Sequence, residues 1–221
     1  MFSTNADVFL VHLFVVLPIL FFIFMRRNPY TFWIRCSRSW ITAWATASSA
    51  ATMPVTLQVA EERKIPNSVA RFVVPLGTLI NMDGTAIYFP TVVVFLAATQ
   101  GMPLNAGDYA IIVLLATLSS IATTPIPSSS LVLTLIIAES VGIPITGMYA
   151  VVVAIDWFID RFRTMTNVSG DLFASQIMAK LTGITDNDSA DYAPAEALQR
   201  AMSETSGAQC RRPSGQGKQD V

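Results

Sequence analysis

Five side chains able to hold ions or charged solutes recur along residues 154 to 171: Asp156, Asp160, Arg163, Asn167 and Asp171. On a helix turning about 100° per residue they fall within an arc of roughly 80°. Trp157, Phe158, Phe162, Met165, Val168 and Leu172 cover the opposite side. A charge at bilayer depth costs roughly 2.5 to 3.5 kcal/mol on insertion scales, so a stripe of both signs in an apolar segment is expected to line a protein-walled cavity holding counter-charges. A second reactive stretch, Asn81-Met82-Asp83-Gly84-Thr85, follows Pro75 and Gly77. Gly and Asn tolerate unwound backbone, which frees carbonyl oxygens to act as hard ligands, and Asp83 adds a full negative charge. That oxygen set suits Na⁺. The plainer alternative is a kinked helix with one buried, hydrogen-bonded Asp.

Membrane helices are needed to position these groups. The 221 residues are 52% hydrophobic and 13% charged, with a mean hydropathy of +0.52, where soluble domains carry about 25% charged residues. The expectation is an all-α integral membrane protein in contact with the lipid bilayer. A net charge of −1 without a basic run excludes a nucleic-acid partner on electrostatic grounds. Residues 8 to 25 form a first apolar run just long enough to span. Asp7 precedes it and Arg26 and Arg27 follow, the reverse of a signal peptide. Arg26, Arg27, Arg35, Arg38, Arg63, Lys64 and Arg71 then cluster, whereas residues 100 to 108 carry no Lys or Arg. The positive-inside rule therefore puts the N-terminus outside and the C-terminus in the cytoplasm. Cys36 and Cys210 lie in segments so placed on the cytoplasmic side and are read as plain thiols.

Between two cytoplasmic ends, residues 37 to 62 contain two apolar pieces too short to cross, meeting at residues 46 to 54. This predicts a re-entrant helical hairpin. Residues 109 to 143 repeat the pattern from the other side, breaking at Thr123-Thr124-Pro125-Ile126-Pro127-Ser128-Ser129-Ser130. With a broken span over residues 68 to 99 and a last span over 146 to 180, the hairpins form an inverted repeat, an architecture that places binding sites at mid-membrane. Residues 1 to 183 are read as one membrane transport domain and residues 184 to 221, poor in large apolar side chains, as a disordered cytoplasmic tail.

Asn81-Met82-Asp83-Gly84-Thr85, the Ser48-Ser49 hairpin tip with its Thr-x-Pro, and Asp-x-x-x-Asp-Arg-Phe-Arg-Thr-x-x-Asn-Val-x-Gly-Asp resemble the dicarboxylate/amino acid:cation symporter family, which includes the excitatory amino acid transporters. The resemblance covers about residues 8 to 183 and corresponds to the family's sixth helix, first hairpin, seventh helix, second hairpin and eighth helix. Helices one to five have no counterpart, so the chain looks like the C-terminal half of such a protein, with a homotrimer implied where the N-terminal scaffold is present. The resemblance implies one Na⁺ held by Asp171 and carbonyls of Gly77, Asn81 and Asn167, and a second by backbone around Leu79, Ser120, Ile121 and Thr123. A third would use Asp83 and the Asn81 side chain. For substrate it implies Asp160 on an α-amino group, Arg163 and Thr85 on a side-chain carboxylate, and Ser49 with Asn167 on an α-carboxylate, flanked by Ser48, Ile126 and Thr164. Asp156 would orient Arg163. A planar guanidinium beside an Asp suits such a zwitterion.

The second tip departs from the glycine-rich form of the family, and Phe89 stands where animal glutamate transporters carry a titratable Glu. His12 is read as a helix-contact residue lying off the ion path. Tyr88, Trp33, Trp40 and Trp44 read as packing or interface anchors. The function expected is sodium-coupled symport of acidic amino acids, aspartate or glutamate, or related dicarboxylates, in the plasma membrane. The alternative is a truncated, transport-inactive homologue that modulates a full-length relative. An intramembrane aspartyl protease is disfavoured because Arg163 would hold neighbouring carboxylates ionised.

Overall fold

A computed structural model describes residues 2–185. The expected tail, from its third residue onward, and Cys210 lie outside the described residues. Residues 2–184 fall within a single compact unit, and every regular element among the described residues is a helix. Helix α1 (Phe2–Val11) runs through one π-helical turn (His12–Val16) into α2 (Leu17–Met25). The helix begins six residues before the apolar run at Val8 because its first turns have a partner: Asn5 is buried and its Oδ1 accepts from the Thr91 hydroxyl at 2.7 Å. Arg26, with φ 51°, stops α2 in the left-handed region.

Short capping signals punctuate the middle of the chain. The Asn28 Oδ1 accepts from the amides of Tyr30 and Thr31 and opens α3 (Pro29–Arg35). Helix α4 (Ser37–Thr46) ends at Ala47, which is left-handed at φ 49°. Ser48 then reverts to extended backbone and caps α5 (Ser49–Glu62) by accepting from the Ala51 amide. Helices α6 (Asn67–Ile80) and α7 (Asp83–Thr99) are separated only by Asn81 and Met82, whose ψ values of 74° and 54° are not helical. Asn105 and Asp108 form a capping box that opens α8 (Ala106–Ala122). Residues 123 to 129 connect it to α9 (Ser130–Ser140), with Ser128 held at φ 57°.

Helix α10 (Met148–Thr182) is the post around which the rest is arranged. It meets α1, α2, α4, α5, α6 and α7, and over 35 residues its length is about 52 Å. Encirclement explains why its second half is buried on nearly every side, Val168 and Leu172 as well as the polar stripe. One apolar cluster joins α7, α8, α9 and α10 around Tyr88, Phe89, Val92 and Leu96, and Phe89 within it is fully buried. A second joins α4 to α6 with α10, and there burial pushes the Cys36 thiol up to about 12. Two stretches, Thr4–Met25 and Asn67–Thr99, are long and apolar enough to cross a membrane. Outward-facing Phe22, Ile23, Val113, Leu114 and Val132 are each more than half exposed, as a lipid-facing perimeter requires.

Candidate functional site

Four elements converge beside the middle of α10: the tip between α4 and α5, the tip between α8 and α9, the break between α6 and α7, and α10 itself. The two tips touch, since the Pro125 carbonyl accepts from the Ser48 hydroxyl at 2.8 Å and from the Ala50 amide at 3.3 Å. Beneath them lies a nearly filled cavity of about 10 Å³. Ser49, Thr85, Ile126, Asp160, Arg163, Thr164 and Asn167 line it, together with Ala47, Met82, Thr123, Thr124, Pro125 and Ser129. Ser48 is not among its walls, because its hydroxyl is held between the Ala51 amide and the Pro125 carbonyl.

Charge inside the cavity is paired within the protein. Asp160 Oδ1 accepts from Arg163 Nη2 at 2.6 Å and from Nε at 3.1 Å, and Oδ2 accepts from the Ser128 amide at 2.8 Å. That last bond gives the left-handed backbone at Ser128 a role, since it turns an amide of the second tip onto α10. The Arg163 Nη1 donates to Ser130 Oγ, Nη2 lies 3.5 Å from Asp156 Oδ1, and the guanidinium sits 4.3 Å over the Tyr88 ring. Arg163, Asp156, Ser130 and Tyr88 are all essentially without solvent exposure. A guanidinium so enclosed is fixed by a carboxylate, a hydroxyl and a ring face together. Ser130 and the Ser128 amide were not singled out in the sequence. Their signal was the Ser128-Ser129-Ser130 run, but only the fold directs Ser130 at Arg163 and the amide at Asp160.

The break between α6 and α7 is tied to α10 by Asn167, whose Oδ1 accepts from the Gly84 amide at 2.7 Å. Gly84 is obligatory there, as a Cβ would stand 2.5 Å from the Arg163 carbonyl oxygen. The Met82 sulfur receives the Thr85 hydroxyl at 3.8 Å and the Asn167 amide at 3.7 Å.

Deeper along α10, Asp171 is 1% exposed and its Oδ1 accepts from Asn81 Nδ2 at 2.9 Å, while Oδ2 is buried without a hydrogen-bond partner. A Cβ on Gly77 would overlap the Asp171 carboxylate, and one on Gly170 would lie 3.1 Å from Asn81 Nδ2 and 3.2 Å from Asp83 Oδ2. Gly77, Asn81, Asp83 and Asp171 therefore form one oxygen-rich cradle in which one buried carboxyl oxygen of Asp171 has no hydrogen-bond partner. The Gly77 carbonyl accepts from the Asn81 amide at 2.8 Å, keeping a second lone pair. His12 makes the helix-to-helix contact expected of it, but in a different place. The π turn carries its Nε2 to 3.3 Å from Asp83 Oδ2, so it stands at this cradle rather than away from it. The other backbone set lies on α6, on α8 and just after α8. Helix α6 meets α8, but the Leu79 and Ile121 side chains are exposed and the Ser120 and Thr123 hydroxyls donate to the Thr117 and Ser119 carbonyls.

Comparison with known proteins finds the same region. The profile of the sodium:dicarboxylate symporter family matches residues 4–181. The mouse (Mus musculus) excitatory amino acid transporter 3 is 41% identical over 173 residues, 78% of this chain and 33% of that protein. The human (Homo sapiens) excitatory amino acid transporter 2 is 42% identical over 174 residues, 78% of this chain and 30% of its own. An excitatory amino acid transporter of Caenorhabditis elegans is 41% identical over 169 residues, 76% of this chain and 33% of its own. The chain thus spans about a third of the length of these relatives.

Proposed function

This chain belongs to the sodium:dicarboxylate symporter family, a family of membrane transporters and not of enzymes, and from that premise we propose that it binds an acidic amino acid together with Na⁺ for symport across the plasma membrane. The observation that carries the reading is the buried Asp160–Arg163 pair at 2.6 Å beneath two touching tips, on the same helix as the half-partnered Asp171. Asp171 follows Arg163 by eight positions on α10, about 12 Å along the axis.

In the empty cavity Asp160 and Arg163 neutralise each other. An acidic amino acid brings the one combination that replaces both partners at once. Its ammonium group takes Asp160 and its side-chain carboxylate takes the Arg163 fork, with Thr85 alongside. Ser49 and Asn167 meet the α-carboxylate, with Thr164 and Ile126 walling the space. A dicarboxylate without an amino group would part Asp160 from Arg163 and leave it uncompensated. Breaking one side of a buried pair costs about 3 to 5 kcal/mol. Aspartate or glutamate is therefore favoured over simple dicarboxylates. Na⁺ is cargo: Asp171, with Gly77 and Asn81, supports one ion, and Asp83 with the Asn81 side chain supports a further one.

The two tips act as gates of re-entrant hairpins related by inverted repeat, with the N-terminus outside and the C-terminus in the cytoplasm. The test is titration of the purified chain with aspartate by calorimetry in Na⁺ and in choline, followed by uptake after joining it behind the N-terminal two-thirds of a relative. Na⁺-dependent binding and uptake are expected. Absence of binding in either salt overturns the site. Binding without uptake would favour the alternative, that the chain modulates a full-length relative.

A further inference from the structure

The C-terminal parts of α2, α5 and α10 border a cleft that the ion and substrate residues do not touch. Its cavity of about 400 Å³ is lined by Arg27, Arg35, Arg63 and Lys64 over a floor that includes Phe21, Met25 and Phe32. An adjoining cavity shares Met25, Arg27, Lys64 and Gln176 with it and adds Lys180. One carboxylate, Glu62, enters the lining, and Arg38 pairs with it at 2.7 Å. Among the described residues Arg27, Arg35, Arg63 and Lys64 make no ion pair. The Arg63 Nε is moreover buried without a hydrogen-bond partner.

Cations gathered this closely repel one another, and an anion seated between them relieves the repulsion. Guanidinium groups match phosphate oxygens with parallel N–H donors. The floor is not what a soluble anion needs: Phe21 and Phe32 stack at 5.1 Å between centroids, and around the other side of α2 exposed Ile19, Phe22 and Ile23 line an apolar depression with Phe14 and Tyr30. A basic rim over an aromatic floor, with an exposed apolar face around the same helix, matches the charged head and apolar chains of a phospholipid.

We propose that this cleft binds the phosphate headgroup of an anionic phospholipid in the leaflet it faces, with the acyl chains lying along α2. Basic pockets between membrane helices on the cytoplasmic side take such headgroups, and the positive-inside reading puts this end of the helices there.

The experiment follows thermal unfolding of the full chain in uncharged detergent micelles doped with phosphatidylglycerol, with phosphatidylcholine, or with inorganic phosphate added to the buffer. Phosphatidylglycerol is expected to raise the melting temperature saturably, and the other two to leave it unchanged. The double variant Arg63→Gln/Lys64→Gln should raise the half-saturating phosphatidylglycerol fraction roughly thirtyfold, about 2 kcal/mol at about 1 kcal/mol per basic residue. Arg27→Gln/Arg35→Gln provides a second test should the first variant fail to fold. As a control, Arg26→Gln/Arg71→Gln removes equal charge from exposed positions outside the cleft and should shift the midpoint less than twofold. An equal shift in the control would mean diffuse attraction and overturn the site. Equal stabilisation by phosphatidylcholine would assign the effect to the apolar floor alone. Inorganic phosphate acting as well as the lipid would overturn the lipid as the source.

Discussion

Gly77 and Asp171 stand so close that a single methyl group on the glycine would overlap the carboxylate. Gly77→Ala should therefore push Asp171 out of the cradle while leaving the rest of α6 helical. The Na⁺ concentration needed for half-maximal aspartate binding is expected to rise roughly tenfold, matching the 1.5 to 3 kcal/mol typical of a lost charge-assisted contact. Calorimetric titrations at several Na⁺ concentrations measure this, and an unaltered Na⁺ dependence would remove Asp171 from the ion site. Ser130 makes the opposite kind of prediction. Its hydroxyl takes a donor of Arg163 that a substrate carboxylate would otherwise use. Ser130→Ala should free that donor and tighten aspartate binding by about three- to tenfold, within the net value of one hydrogen bond. Weaker binding in the variant would show that Ser130 joins the substrate instead of competing with it.

Among the elements, the meeting of the two tips decides whether the cavity is closed. Ser48 serves both sides of that contact, capping α5 through Ala51 and donating to the Pro125 carbonyl of the other tip. Losing an N-cap costs about 1 kcal/mol, and the tip-to-tip bond adds a similar amount. In Ser48→Ala, backbone amides of residues 126 to 130 should exchange with solvent at least about fivefold faster in hydrogen-exchange mass spectrometry, while those in the buried half of α10 keep their protection. Unchanged exchange in the second tip would mean that Ser128 on Asp160, and not Ser48, closes it.

At the scale of the whole molecule, burial of polar groups around α10 makes the proposed ion binding a contribution to folding. Asp156, Asp160, Arg163, Asn167 and Asp171 all lie at 6% exposure or less, and one oxygen of Asp171 has no hydrogen-bond partner, so that under the proposed function a bound Na⁺ supplies its counter-charge. The folded chain should accordingly melt higher in Na⁺ than in choline at equal ionic strength. At a hundred times the dissociation constant the gain is about 2.7 kcal/mol, or roughly 5 to 10 °C for a unit of this size. Circular dichroism melts check it, and identical melting temperatures in both salts would mean that the empty cradle is already satisfied.

Much of this was legible in the chain because charge is so costly in an apolar segment. The stripe on α10, the Asn81–Asp83 break and the Ser/Thr/Pro tips are local signals, each readable from a helical period or from residues that release backbone from it. The helix starts at Asn28, Ser48 and Asn105 are side-chain caps, a role not singled out in the sequence although each is a local signal. Contacts between distant segments were not legible, since nothing local relates residue 12 to 83, 48 to 125, or 130 to 163. A π turn carries His12 onto Asp83, two tips meet on one carbonyl, and the second tip turns a hydroxyl to Arg163 and an amide to Asp160. Residue types and spacing thus determined which groups had to be sheltered from lipid and along which helix face. Which partner each group received was decided by packing around α10, where every buried donor and acceptor competes for the few neighbours within reach.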